Sequence, residues 1–457
     1  MKNNKRFTLI FLIIIFVPFK GKTFCQLNFS PADRIVNQIQ RTFFPADTFQ
    51  ITNFGALGNG VSDNRSPIMN AIEACSQKGG GVVLIPKGTF FCKGPVSLKS
   101  NVNLHLSKGA ILLFSSEPGD YLPATFTRWE GVEIYNYSPM IYTLSQENVA
   151  ITGKGTINGN AAEKWISFRD LIGKAQNNVR EFNDKQAPVS ERKFGEGDYI
   201  RPSFIQFINC SRILVEGVTL INSPLWILHP VYCSDIVIRN VNFYSLIINN
   251  DGIDIDSSIN GLIENCTFST GDDAIVFKSG RDSDGWRVNK PSKNFVVRNC
   301  IAPQVLHGIA FGSEMSGGIE NVFVENINLG NVKGEAIQFK ANKDRGGYIR
   351  DIFIRNIEVD TAGQHLLYFT NSYHGYRGGN APSEFYNIHI ENIICHLANY
   401  VIQLQGLEEM PLHDISIEKV TVGKAKNIFD KKEYYRNIVF KQLKVAGKEV
   451  DLKSLLN

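Results

Sequence analysis

The 457-residue sequence contains no C-x-x-C pair, and none of its eight cysteines stands close to a histidine at zinc-ligand spacing. Cys25, Cys75, Cys92, Cys210, Cys233, Cys266, Cys300 and Cys395 are scattered, so no metal site is expected. There is little net charge either. The formal value is +4, but Lys2, Lys5, Arg6, Lys20 and Lys22 fall in the first 25 residues with no acid among them, which leaves about −1 for the remainder. That balance excludes the basic footprint of a nucleic-acid binder. Beyond residue 25 no stretch approaches about 18 uninterrupted apolar residues, so the mature chain is expected to have no membrane span. Asn-Gly hairpin turns between closely spaced strands are sparse, which argues against an antiparallel sandwich. What remains, 43% hydrophobic and 20% charged residues, is the composition of a globular chain with a large core.

Residues 1–25 have the layout of a secretory signal: a basic start, an apolar run from Phe7 to Phe16, and a more polar stretch before Cys25 and Gln26. Export to the periplasm or medium is the expectation. Bulky Phe24 before Cys25 disfavours a surface lipid anchor. Residues 26–50 are then a lead-in segment and 51–457 one domain, interrupted by a charged insertion around 161–203.

One phrase recurs along that domain: alternating apolar residues, a polar residue that is usually Asn, and a second alternating pair. It runs from Ile236 to Phe243 with Asn240 at its centre, and returns around Asn265, Asn299, Asn326, Asn356 and Asn392. The intervals are 25, 34, 27, 30 and 36 residues, as for loops inserted into a common coil. Each copy reads as two short strands joined by a bend, with one side of each strand inward. A single copy cannot bury that side, whereas stacked copies form a continuous core. The expected fold is all-β, a right-handed single-stranded parallel β-helix. Val241, Cys266, Cys300, Ile327, Ile357 and Ile393 should form one inward column, with Cys266 and Cys300 as buried free thiols. A helix capped by Ser66, with Pro67 in its first turn and Ile68, Ile72 and Cys75 on one face, should plug the N-terminal mouth.

Acids cluster twice in the middle of the solenoid, at Asp251 to Asp254 and at Asp272 to Asp273, 21 and 22 residues apart from Asp251. That is close to one coil, so the clusters should stack, with His307 and then Lys340 on further rungs of the same face. Like charges so placed raise one another's pKa. A glycosidase needs that, since one carboxyl must stay protonated for the leaving oxygen while another activates water. Spacing alone leaves a solvated Asp-rich turn or a Ca²⁺ site open.

At these residues the sequence resembles glycoside hydrolase family 28, the polygalacturonase family. The matching phrases, in order, are Phe54–Asp63, Gly79–Pro86, Thr127–Gly131, Asn222–Pro230, Asn250–Asp254, Gly271–Asp273, Lys278–Gly285, His307–Gly308 and Gly312–Gly318. Those from Thr127 and Lys278 resemble the bacterial exo-acting branch. The resemblance implies the β-helix fold and inverting hydrolysis of α-galacturonosyl linkages in pectic polysaccharide or oligogalacturonides, without metal or cofactor. It makes Asp272 the general acid, Asp251 and Asp273 the pair that activates water, and His307 the histidine that tunes the acid. Carboxyls one rung apart fall nearer the spacing of retaining enzymes, a tension that side-chain direction must resolve. Asn250, His229, Lys278, Arg281, Gln338 and Lys340 are the expected substrate contacts.

Gln338 departs from the family pattern, because Arg-x-Lys is usual where this chain has Gln338-Phe339-Lys340. A neutral amide replaces a guanidinium fork. Either Lys278 and Arg281 compensate, or the substrate is a galacturonate in branched pectin. Trp129, Trp226 and Trp286 read as core or loop anchors before sugar-stacking platforms. Two other readings are a Ca²⁺-dependent lyase on the same architecture and a non-catalytic carbohydrate-binding solenoid.

Overall fold

The computed structural model describes residues 30–161 and 164–450; the expected signal peptide, including Cys25, lies outside them. The chain winds into a right-handed parallel β-helix. Among the described residues, strand pairing is parallel except in the hairpin Thr125–Trp129/Val132–Asn136 and where Lys448–Glu449 folds back on Tyr435–Val445.

The marker asparagines form one corner of the coil. Asn240, Asn265, Asn299, Asn326, Asn356 and Asn392 all have φ of 55–56°, the left-handed conformation that Asn tolerates better than most residues. The pairing register advances from rung to rung by the same intervals as the markers: Arg239↔Glu264, Glu264↔Arg298, Arg298↔Glu325, Glu325↔Arg355 and Arg355↔Glu391. Asn326, Asn356 and Asn392 each donate an amide N–H to the Asn below, at 3.1, 3.0 and 2.7 Å. A second corner, unannounced by the repeat phrase, carries Asn260, Asn294 and Asn321, bonded in the same way at 2.9 and 2.7 Å.

Inside, the expected column from Val241 to Ile393 is buried, and Cys266 and Cys300 are free thiols. Phe277, Phe311, Phe339 and Phe369 stack along the axis with centroids 5.4, 4.7 and 4.5 Å apart. The same strands bear Lys278, Gly312 and Lys340 on the outer face, one residue after each ring. Phe339→Ala should therefore cost about 3–5 kcal/mol and loosen the floor of the cleft. A lowered midpoint in denaturant, with the parent slope, would show it.

Two helices come from the N-terminal part of the chain. Helix α1 (Ser30–Gln38) lays Ala32 and Ile35 on Val237, Leu262, Val296 and Phe323, on the outer side of the solenoid. Helix α2 (Arg65–Gln77) buries Ile68, Ala71, Ile72 and Cys75 in the end of the main core. Its start differs from expectation, because Ser66 is already helical and Asn64 holds the N-cap position. Asp63 accepts the Arg65 amide at 3.0 Å, which leaves the Ser66 hydroxyl no capping role. The charged stretch after residue 161 is helical, with α3 (Lys164–Leu171) and α4 (Gly173–Asp184). Ala175 and Val179 of α4 pack with Trp129, Val132, Ile134 and Trp226, so this excursion has its own small core against the hairpin. A last helix, α5 (Asp282–Val288), follows the loop at Arg281.

Candidate active site

The acids come from two stacked turns, one before Ile253–Asp256 and one before Asp273–Lys278. The turns touch: a Cβ on Gly271 would lie 1.9 Å from the Ile247 carbonyl oxygen, so only glycine lets them stack so closely. Ile253 pairs with Ile275, which puts Asp251 in the column of Asp273, and Asp273 pairs with His307. Asp251, Asp272 and Asp273 all line one cleft of about 590 Å³.

These three carboxyls do not share one electrostatic fate. Burial, then Asp254 and Asp272, push Asp251 well above the ordinary carboxyl range. Burial, then Asp273, push Asp272 up as well. Asp273 goes the other way, because Lys340, His307 and Lys278 together outweigh its burial. Its Oδ1 accepts the Gln338 Nε2 at 2.7 Å, and the Lys340 ammonium stands 3.0 Å from Oδ2. Asp272 is held more lightly, with Asn249 Nδ2 at 3.4 Å and His307 Nε2 at 3.9 Å.

Cations surround the acids. Lys278 Nζ lies 3.2 Å from Glu314 Oε2, 3.5 Å from Asp254 Oδ1 and 3.7 Å from Asp251 Oδ2, over the Trp226 ring. Glu314 also pairs with Arg281, whose Nε donates to the Glu130 carbonyl at 3.2 Å. Lys278, Arg281 and Lys340 all line the cleft, together with Trp129 and Trp226, whereas Trp286 stays out of the lining and donates its indole N–H at 2.8 Å to the carbonyl of Arg345, which is part of it. Helix α4 contributes Arg180, ion-paired with Glu130. Arg201 donates to Asn249 Oδ1 at 2.7 Å and thereby supports the amide beside Asp272.

Three expected substrate contacts do not reach the cleft lining. Asn250 is fully buried, with its amide donating to Leu225 O at 2.7 Å and accepting from Ser245. His229 is buried too: Nδ1 accepts a hydrogen bond from Gln206 Nε2 at 2.8 Å, and Asp256 stands 3.6 Å from Nε2. Burial lowers its pKa and favours the neutral ring, against the pull of Asp256. Gln338 is turned onto Asp273 and steadies a catalytic candidate instead of offering its amide to sugar. Glu314, Asp254 and Glu335 were not singled out as site residues, although Glu314 and Asp254 lie inside matched phrases.

Asp272, Asp273 and His307 place ligand-type atoms within 4.8 Å of one another, the one such group among the described residues. An ammonium already sits against Asp273, which suits proton chemistry better than a divalent cation.

The model of the family described as glycosyl hydrolases family 28 matches residues 75–439. The chain belongs to that family. Among solved structures, a hyperthermoactive exopolygalacturonase from Thermotoga maritima is 35% identical, with a TM-score of 0.89, and 93% of this chain covers 98% of that one. A protein named probable polygalacturonase from Vitis vinifera is 29% identical over 84% of this chain and 76% of its own length. An exo-poly-alpha-D-galacturonosidase of Dickeya chrysanthemi is 26% identical over 75% of this chain and 61% of its own length. The family 28 chain is thus a glycosyl hydrolase on a parallel β-helix.

Proposed function

We propose that this family 28 enzyme hydrolyses α-galacturonosyl linkages in pectic polymers or oligomers, exo-acting and with inversion. The observation that carries the chemistry is the opposite displacement of neighbouring carboxyls: Asp272 is pushed up while Asp273 is held down. Two acids so separated divide the labour of a glycosidase. Asp272 keeps its proton and gives it to the leaving glycosidic oxygen. Asp273, the one of the three held down, takes a proton from the attacking water, and Asp251, itself pushed up, stands in the same column one rung away. Lys278, Arg281 and Lys340 supply the positive field for a sugar carboxylate, which makes them the compensation for the missing arginine at Gln338. Helices α3 and α4 and the Trp129–Glu130 tip wall the cleft, as suits capture of a chain end. The same reading makes the protein an exported one, acting on polysaccharide outside the cytoplasm.

The test is to incubate the purified enzyme, with a chelator present, with polygalacturonan, rhamnogalacturonan and branched pectin fractions. Saturated monogalacturonic acid from polygalacturonan is the expected product. An ultraviolet-absorbing unsaturated product would instead indicate a lyase. Silence on polygalacturonan with release from a branched fraction would make Gln338 the mark of a changed substrate.

A further inference from the structure

One column of the solenoid continues past the acids. His307 and Ile309 stand in step with Glu335 and Ile337, and these with His365 and Leu367, through the parallel registers Ile309↔Ile337 and Ile337↔Leu367. Backbone bonds hold that step: Gly308 N donates to Glu335 O at 3.0 Å and Ala336 N to His365 O at 2.9 Å. The register therefore stacks an imidazole, a carboxylate and a second imidazole on successive rungs. The side chains meet. Glu335 Oε2 lies 2.8 Å from His307 Nδ1, and Oε1 lies 3.3 Å from His365 Nδ1. His365 Nε2 is in turn 3.1 Å from Asp430 Oδ2, and its ring lies against Tyr400 at 5.1 Å.

The Glu335 amide also approaches His307 Nδ1, at 3.2 Å. The amide N–H donates to Nδ1 and the carboxylate oxygen stands beside the same nitrogen, so Glu335 grips the ring through both its backbone and its side chain. Burial alone would raise the Glu335 carboxyl, but hydrogen bonds from His307 and His365 bring it down to about 2. Glu335 is thus an anion throughout the range in which a glycosidase works. On the other side of the ring, Nε2 faces Asp272 at 3.9 Å. Gly334 completes the seat, because a Cβ there would lie 2.5 Å from His307 Nδ1 and Cε1.

We propose that Glu335, backed by His365 and Asp430, is a positioning residue for the general acid, holding the His307 ring so that Nε2 faces Asp272. A residue next to a proton-transfer group commonly controls its orientation in this way. The inference rests on Asp272 being the acid.

The test compares two substrates, polygalacturonan and an aryl α-galacturonide whose phenolate leaves without a proton. Glu335→Gln keeps the shape and removes the charge; Gly334→Ala keeps Glu335 and displaces the ring. Both variants are expected to lower kcat on polygalacturonan about tenfold or more with KM within about twofold, while kcat on the aryl substrate falls less than about threefold. Glu335→Asp should recover part of the loss. Equal losses on the two substrates, or a loss expressed in KM, would reduce Glu335 to a structural residue and overturn the proposal. Should Gly334→Ala fail to fold, Glu335→Gln alone decides, since it adds no atom to the site. Asp272→Asn is the control. If it loses both substrates equally, Asp272 is not the acid and the proposal falls with that assignment; if it spares the aryl substrate, the outcome for Glu335 stands by itself.

Discussion

Asp272→Asn is expected to lower kcat on polygalacturonan by about 10²–10⁴-fold, the usual share of a positioned general acid, with KM little changed. The substitution should also make the protein more stable at neutral pH. Burial and Asp273 raise the Asp272 carboxyl, so the folded state binds its proton more tightly than the unfolded chain does. Ionising it in the fold therefore costs stability, and that cost grows as pH rises through the ordinary carboxyl range. Asn removes the cost. A thermal midpoint above the parent's at pH 7, converging on it near pH 3, together with the collapse in kcat, is the signature of an acid kept in a strained environment for function. A variant that loses activity and stability together would place Asp272 among the structural residues.

Glu314→Gln should do the reverse and destabilise the fold strongly. Glu314 is buried with Lys278 at 3.2 Å and Arg281 in contact, and the positive charge of Lys278, Arg281 and Arg345 outweighs burial and holds its carboxyl well below the usual range. Replacing one partner of such a buried cluster leaves the others uncompensated, at a cost of about 3–5 kcal/mol. A depressed carboxyl contributes stability above its unfolded pKa and loses it as pH falls through the folded value. Glu314 should thus support the parent well into the acid range, and Glu314→Gln should lower the thermal midpoint most at pH 5–7 and least at strongly acid pH. The same change frees Lys278 and Arg281 from their internal anion. A sugar carboxylate would then compete less with protein for them, so KM for oligogalacturonides should fall in whatever fraction remains folded. A midpoint within a degree of the parent's would mean that the cluster is not held together by Glu314.

The fold was legible because its determinants are local and repeat. Alternating β-branched residues mark the inward side, and Asn marks a corner that demands positive φ, so both recur wherever the coil does. The candidate acids were legible for the same reason, since one coil without insertions separates Asp251 from Asp273. Orientation was not. Asn250 and His229 stand in the matched phrases and Gln338 departs from the family pattern, yet each is turned onto a buried neighbour, and nothing in the sequence around them says which way an amide or imidazole faces. Glu335 was obscured by a single residue. The marker interval from Asn299 to Asn326 is 27, which carries His307 to Gly334, whereas the register on the active face advances by 28, from Ile309 to Ile337.

By itself, then, the sequence determined the coil, its handed stacking and the rung on which each carboxyl sits, because inward packing between successive rungs repeats at short range. The tertiary structure decided which carboxyl keeps its proton. That depends on Lys340 and Gln338 reaching Asp273 across two rungs, and on Asn249 and His307 touching Asp272 only lightly. It also decided the walls of the cleft, where Glu130 meets Arg180 and Arg281, and the buried pairing of Arg192 with Asp284. Those partners come from excursions of irregular length far apart in the chain, and buried charges find one another through the space the excursions enclose rather than through any period in the sequence.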